Sequence, residues 1–194
     1  MKTHPRPGQA AFTLVELMAV VTIIVLLAAV VVGGMGFVGE RQNKEKARVQ
    51  IALLSKALEE YKADLGTYPP TPDKAGSFDG TAGTDTSDIL FNALFWDSDN
   101  DQAGAGQDDD QKIYLPELDP ASSKQGWTTG TAAATLPILD PWGNEYCYRS
   151  ATTADGTANS GTQNPDFDLW SMGKDGKTNA DPKHKDSRDD IKNF

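Results

Sequence analysis

AFTLVELMAVVTIIVLLAAVVV, from Ala11 to Val32, is an apolar run with a single charge, Glu16, near its start. From Leu17 to Val32 nothing is more polar than Thr22, and Met35, Phe37 and Val38 extend the apolar reach. About 20 residues at ~1.5 Å each cross the hydrocarbon of a bilayer. The run therefore predicts a membrane-spanning helix, longer than a signal-peptide core. A carboxylate inside such a segment costs roughly 2.5–3.5 kcal/mol on insertion scales, and it persists only where a partner, a cavity or the headgroup layer accommodates it. Glu16 is thus the first functional candidate, with plain solvation at headgroup depth as the alternative.

Lys2, His4 and Arg6 precede the run, and positive residues keep that end cytoplasmic, which places the rest of the chain across the membrane. Beyond Val32 stand Gly33, Gly34, Gly36 and Gly39. Each costs up to about 1 kcal/mol against Ala in a helix, so they mark a place to bend or melt, or they permit close helix packing. From Glu40 to Leu65 the pattern is amphipathic: Ala47, Ile51, Leu54, Leu58, Tyr61 and Leu65 recur at spacings of four and three, with charged residues between them. Gly66 closes the helix and Tyr68-Pro69-Pro70 cannot continue it. A continuous helix from Phe12 to Leu65 is roughly 80 Å long. Its first half needs lipid, or other subunits, to cover it.

A basic leader followed by Phe12-Thr13-Leu14-Val15-Glu16-Leu17-Met18 and an apolar helix resembles the class III signal of type IV pilins and type II secretion pseudopilins. The resemblance implies that a prepilin peptidase cuts between Ala11 and Phe12 and methylates the new amino terminus. It also implies that Glu16 neutralises the amino terminus of a neighbouring subunit during filament assembly. Ala11 stands where the family usually has Gly, and Gly33 where pilins often have Pro. Residues 43–69, NKEKARVQIALLSKALEEYKADLGTYP, are similar to the helix and exit turn of the G-type major pseudopilin, notably at Asn43 to Ala47, Ala57-Leu58, Tyr61-Lys62 and Tyr68-Pro69.

The chain has 194 residues, room for one anchor helix and one modest domain. A net charge of -10 disfavours nucleic acid as a partner, since phosphate binding needs a basic face. Cys147 is the only cysteine, so an intrachain disulfide and a cysteine-based zinc site are excluded. A membrane-anchored hydrolase would need a nucleophile with a base. The histidines are His4, in the leader, and His184, in the tail, and neither stands in a familiar catalytic spacing.

Thr71 to Thr86 is a Gly, Pro, Thr and Asp loop, and Ser87-Asp88 can cap a short helix carrying Ile89, Leu90, Ala93 and Leu94. Asp97, Asp99, Asp101 and Asp108 partly match a calcium-binding EF-hand loop, with Gln102 in place of the turn Gly and Asp in place of the closing Glu. A second calcium site and a solvated acidic loop both remain open there. Ile113 to Leu118 and Leu136 to Leu139 read as short extended crossings between prolines. Asp140-Pro141-Trp142-Gly143-Asn144 reads as a tight turn into a strand over Glu145 to Ser150, with Trp142 covering the sheet edge. Asp166 to Met172 alternates as a last strand.

Asp-Pro-Trp-Gly-Asn before a strand, and Phe167 to Gly176, are again similar to the G-type pseudopilin. By itself the tail from Asp175 reads as a solvated polar segment. The resemblance implies instead a loop that binds one Ca2+ through the Met172 carbonyl, Asp175, Asp189 and Asp190, with Asp186 as a rival. Calcium takes hard oxygen ligands of this kind.

The expected fold is α+β and pilin-like: a long amino-terminal helix on a small antiparallel sheet, ending in a calcium-binding loop. The expected segments are a removed leader (1–11), a transmembrane half-helix (12–38), an amphipathic half-helix (39–66) and a periplasmic domain (67–194). The resemblance implies a non-enzymatic major pseudopilin, anchored in the inner membrane and self-assembling into a periplasmic filament. Its partners would be prepilin peptidase, minor pseudopilins and the inner-membrane secretion platform. A type IV pilin forming a surface fibre is the alternative.

Overall fold

The computed structural model describes residues 12–72, 86–97, 112–122, 126–128, 136–181 and 183–194, with the backbone alone over 32–38. Two compact units are formed, Met1–Gln42 and Asn43–Phe194.

Helix α1 covers Leu14–Leu65, 52 residues. The glycines after Val32 do not interrupt it, because extending an existing helix is far easier than nucleating a new one. In the first unit, Leu14–Val31 is long and apolar enough to cross a membrane, and none of it is buried within the chain.

In the second unit, α1 lays Ala47, Ile51, Leu54, Ala57, Leu58 and Tyr61 into the core. Leu65, predicted to end this stripe, is instead 45% exposed. Gly66 takes φ +82° and donates its N–H to the Lys62 carbonyl at 2.8 Å, so the chain leaves the helix axis before Leu65 can be covered.

One polar residue joins the buried face. Gln50 is 1% exposed, and its Oε1 accepts the buried Tyr146 hydroxyl at 2.7 Å. Tyr146→Phe should therefore destabilise the fold by about 1–3 kcal/mol, because it strands a buried amide oxygen. Adding Gln50→Leu should restore most of that loss. Urea unfolding of both variants checks this, and equal losses would contradict it.

Helix α2 (Ser87–Phe91) continues into a π-helical turn over Asn92–Trp96, where the sequence predicts plain helix. The turn buries Ala93, Leu94 and Phe95, next to the buried Phe91 that ends α2. Pro116–Leu118 is a 3-10 turn rather than part of an extended crossing, since Pro116 suits the first helical position.

Strands β1 (Cys147–Ser150), β2 (Phe167–Ser171) and β3 (Ile191–Lys192) form one antiparallel sheet in the order β1-β2-β3. Cys147 pairs with Trp170 and Ser150 with Phe167, and Trp170 pairs with Lys192 across β2 and β3. The predicted strands thus form in their cores. The predicted tail contributes β3, which sequence patterning passes over because two residues carry no period.

Tyr146, Tyr148, Phe167, Leu169 and Ile191 share the main core with α1. The opposite face is covered as well: Cys147, Trp170 and Met172 form a second buried cluster, and Arg149 is 2% exposed. The Arg149 side chain donates to the Gly161 carbonyl and lies 5.7 Å from the Trp170 ring centre, while Phe194 packs edge-on against Trp170.

The free edge of β1 is blocked by hydroxyls. Tyr148 N–H donates to Thr86 Oγ1 and Ser150 N–H to Thr71 Oγ1, both at 3.1 Å. Unpaired strand edges invite pairing with other chains, and these two threonines remove that option.

Candidate functional site

Two places gather the candidate residues. At the start of α1, Glu16 Oε2 accepts the Thr13 N–H at 3.3 Å and the Thr13 hydroxyl at 3.1 Å. Thr13 Oγ1 in turn accepts the Glu16 N–H at 3.2 Å. This reciprocal pair, three residues apart, is a capping box that satisfies two helix-end donors. The Glu16 carboxylate is thereby held beside the backbone of Phe12 and Thr13. Phe12 is described and 83% exposed, whereas Ala11 lies outside the described residues.

The second place is the carboxyl-terminal loop, built against the Asp140 to Asn144 turn. Asp140 Oδ1 accepts the N–H groups of Trp142 and Asn144 at 2.9 Å each, and Oδ2 accepts the Ser171 hydroxyl at 2.6 Å. Burial still pushes the Asp140 carboxyl above the usual range. Asn144 Nδ2 donates to the Gly173 carbonyl at 2.6 Å, so one turn orients both the end of β2 and the start of the loop. Trp142 is half-buried against the main core.

Within the loop, Asp189 Oδ2 accepts the Asp175 N–H at 3.0 Å, and Asp175 Oδ1 accepts the Lys177 N–H at 2.9 Å. Asp190 faces other partners: its Oδ2 accepts the Thr178 hydroxyl at 2.7 Å and lies 3.1 Å from Lys192 Nζ. The Asp190 side chain is fully buried, and its Oδ1 has no hydrogen-bond partner. Burial pushes this carboxyl up, against the opposing pull of Thr178 and Lys192. Asp186 is engaged with His184 Nδ1 at 3.4 Å.

The family described as type II secretion system (T2SS), protein G matches residues 109–193, and the prokaryotic N-terminal methylation motif matches residues 6–32. The type II secretion system core protein G of Pseudomonas aeruginosa is 29% identical, over 89% of this chain and 88% of its own. That of Escherichia coli K12 is 28% identical, over 87% of this chain and 84% of its own. That of Aeromonas hydrophila is 27% identical, over 96% and 92% respectively. By these matches the chain is similar to the G-type pseudopilins of the pilin-like superfamily.

In this chain the fold brings Asp175 and Asp189 together and sets Met172, buried, just ahead of them. Asp190 is turned toward Thr178 and Lys192. Among the described residues, no three His, Cys, Asp or Glu side chains converge on one point. Asp99, Asp101 and Asp108 lie outside the described residues, and Asp97 lines a cavity of about 210 Å³ with Tyr61, Pro69 and Pro70.

Sequence reasoning missed Asp140, Asn144, Thr178 and Lys192 as parts of this site. For Lys192 a signal existed: positions 190 and 192 lie on one face of a strand, so a carboxylate and an ammonium two apart can meet. The other three are joined by contacts across more than ten residues, which spacing does not reveal.

Proposed function

We propose that this chain is a G-type pseudopilin, the filament-forming subunit of a type II secretion system, anchored in the inner membrane by α1 and polymerising into a periplasmic pseudopilus that drives protein export. The observation that carries the proposal is an apolar half-helix, Leu14–Val31, none of whose residues is buried within the described chain. A monomer keeps that surface in lipid, and a filament exchanges lipid for neighbouring helices, whose close packing then supplies the association energy. The role is structural rather than catalytic. Prepilin peptidase, minor pseudopilins and the inner-membrane platform are the partners it requires.

Processing is the first test. Mass spectrometry of membrane-extracted protein should find a chain beginning at methylated Phe12. A chain retaining Met1, or one starting at Gln9, would contradict the assignment.

The second element of the proposal is Ca2+ in the carboxyl-terminal loop. The donor chemistry fits: Asp175, Asp189 and Asp190 supply hard oxygens, and the partnerless buried Oδ1 of Asp190 is an atom that a cation would satisfy. With few side-chain ligands gathered, the Met172 carbonyl, other backbone oxygens and water would complete the set. A bound cation would neutralise carboxylates that otherwise repel one another.

Because a cation held by the native state alone stabilises it by RT ln(1 + [L]/Kd), about 2.7 kcal/mol at a hundredfold excess, the protein should melt lower in chelator than in millimolar calcium. Asp175→Ala should remove most of that difference, while Asp99→Ala should leave it. Coincident melting curves in the parent would refute the calcium assignment. Loss of the effect in Asp99→Ala instead would move the metal to the upstream acidic loop.

A further inference from the structure

The Asp190–Lys192 ion pair is deeply buried, its side chains being 0% and 14% exposed. Ile191, between them, faces the main core. Asp190 and Lys192 therefore share the outer face of β3, the face of Trp170. Lys192 Nζ also lies 5.5 Å from the Phe194 ring centre, and that ring packs on Trp170. The ammonium is thus held by an aromatic wall on one side and a carboxylate on the other.

Both Lys192 and Thr178 occupy the same oxygen of Asp190, Oδ2, and leave Oδ1 buried and without a partner. A lone buried carboxylate is strongly unfavourable, and an ammonium at 3.1 Å supplies the opposite charge that a metal would otherwise have to bring. A cation reaching Oδ1 would then sit across one carboxylate group from a resident positive charge, in a site with little water to screen the repulsion.

We infer that Lys192 is a built-in counter-ion of the carboxyl-terminal loop, which closes the loop without metal and weakens the binding of any calcium at Asp190. The part concerning calcium rests on the calcium reading above, whereas the part concerning loop closure does not. The consequence for the filament is a subunit whose tail keeps its shape when calcium falls.

The test uses the full-length protein in detergent, with tryptophan fluorescence to follow melting, and has two arms. In chelator, Lys192→Met should lower Tm in the parent but have little effect in an Asp190→Asn background, where no charge remains to be paired. Lys192→Arg should behave as the parent. Equal losses from Lys192→Met in both backgrounds would show a packing role only and overturn the counter-ion.

In calcium titrations, Lys192→Met should respond at a free calcium concentration at least about tenfold lower than the parent, since one like charge beside the site is removed. A midpoint unchanged by Lys192→Met would overturn the claim that Lys192 weakens metal binding. If neither protein responds to calcium, the calcium reading fails along with that claim, and the chelator arm still decides loop closure.

Discussion

Glu16→Ala should leave membrane insertion and folding intact while abolishing filament assembly. Removing the carboxylate makes the segment more apolar, so insertion can only improve. Among the described residues the Glu16 side chain is hydrogen-bonded to Thr13, and Glu16 lies outside the unit Asn43–Phe194. Assembly is different. If Glu16 neutralises a neighbour's amino terminus in the filament, removing it leaves that terminus an unpaired buried charge, and breaking one half of such a pair costs about 3–5 kcal/mol. At 1.4 kcal/mol per factor of ten, subunit addition should weaken at least about a hundredfold.

Thr13→Ala separates this role from capping. That variant loses the hydroxyl of the capping box, worth about 1 kcal/mol to the helix start, but keeps the charge. Counting filaments by electron microscopy after overproduction distinguishes the two variants. Normal filaments from Glu16→Ala would eliminate the assembly role. Equal failure of Thr13→Ala would mean that the capped geometry matters more than the charge.

Gly173→Ala should be the most damaging glycine substitution among the described residues of Asn43–Phe194. Gly173 has φ +65°, and an added Cβ would lie 2.5 Å from the Asp189 carbonyl oxygen and 2.8 Å from its carbonyl carbon. Backbone cannot rotate out of the way as a side chain can, so the segment leading into β3 would have to move. The left-handed backbone alone costs roughly 1–2 kcal/mol for a residue with a Cβ, and displacement of Asp189 adds to it. We expect a loss of at least about 2 kcal/mol, or a Tm lower by about 4–8 °C for a chain of this size.

Gly156→Ala provides the comparison, because Gly156 has φ +81° with no atom within 4 Å of the added carbon. It should show the backbone cost alone. Equal destabilisation by the two substitutions would mean that the close approach of Asp189 to Gly173 does not hold in solution.

The amino-terminal half of this protein was legible in its sequence because the physics there is local. Twenty-odd apolar residues select lipid whatever the rest of the chain does, and a four-three spacing from Ala47 to Tyr61 selects one buried helix face. Gly66 and the following prolines stop the helix by their own backbone limits. The family signal from Phe12 to Met18 is equally local, since it is carried by seven consecutive residues.

The strand pairs were visible as alternation at Tyr146 and Tyr148 and over Asp166 to Met172, but their outer face was not. Alternation suggests water on the side of Cys147 and Arg149, whereas the folded chain covers that side with the Gly161 loop and Phe194. Tertiary structure alone decided that Gln50 is buried, because its partner Tyr146 is 96 residues away.

It alone decided, too, how the acidic tail is arranged. A sequence presents Asp175, Asp189 and Asp190 as equivalent carboxylates in a polar segment. Folding ties the first two together, while β3, two residues long, turns the third inward against Thr178 and Lys192. The physical reason is that a charge's role depends on what shares its space and how little water remains there, and neither quantity is carried by the order of residues.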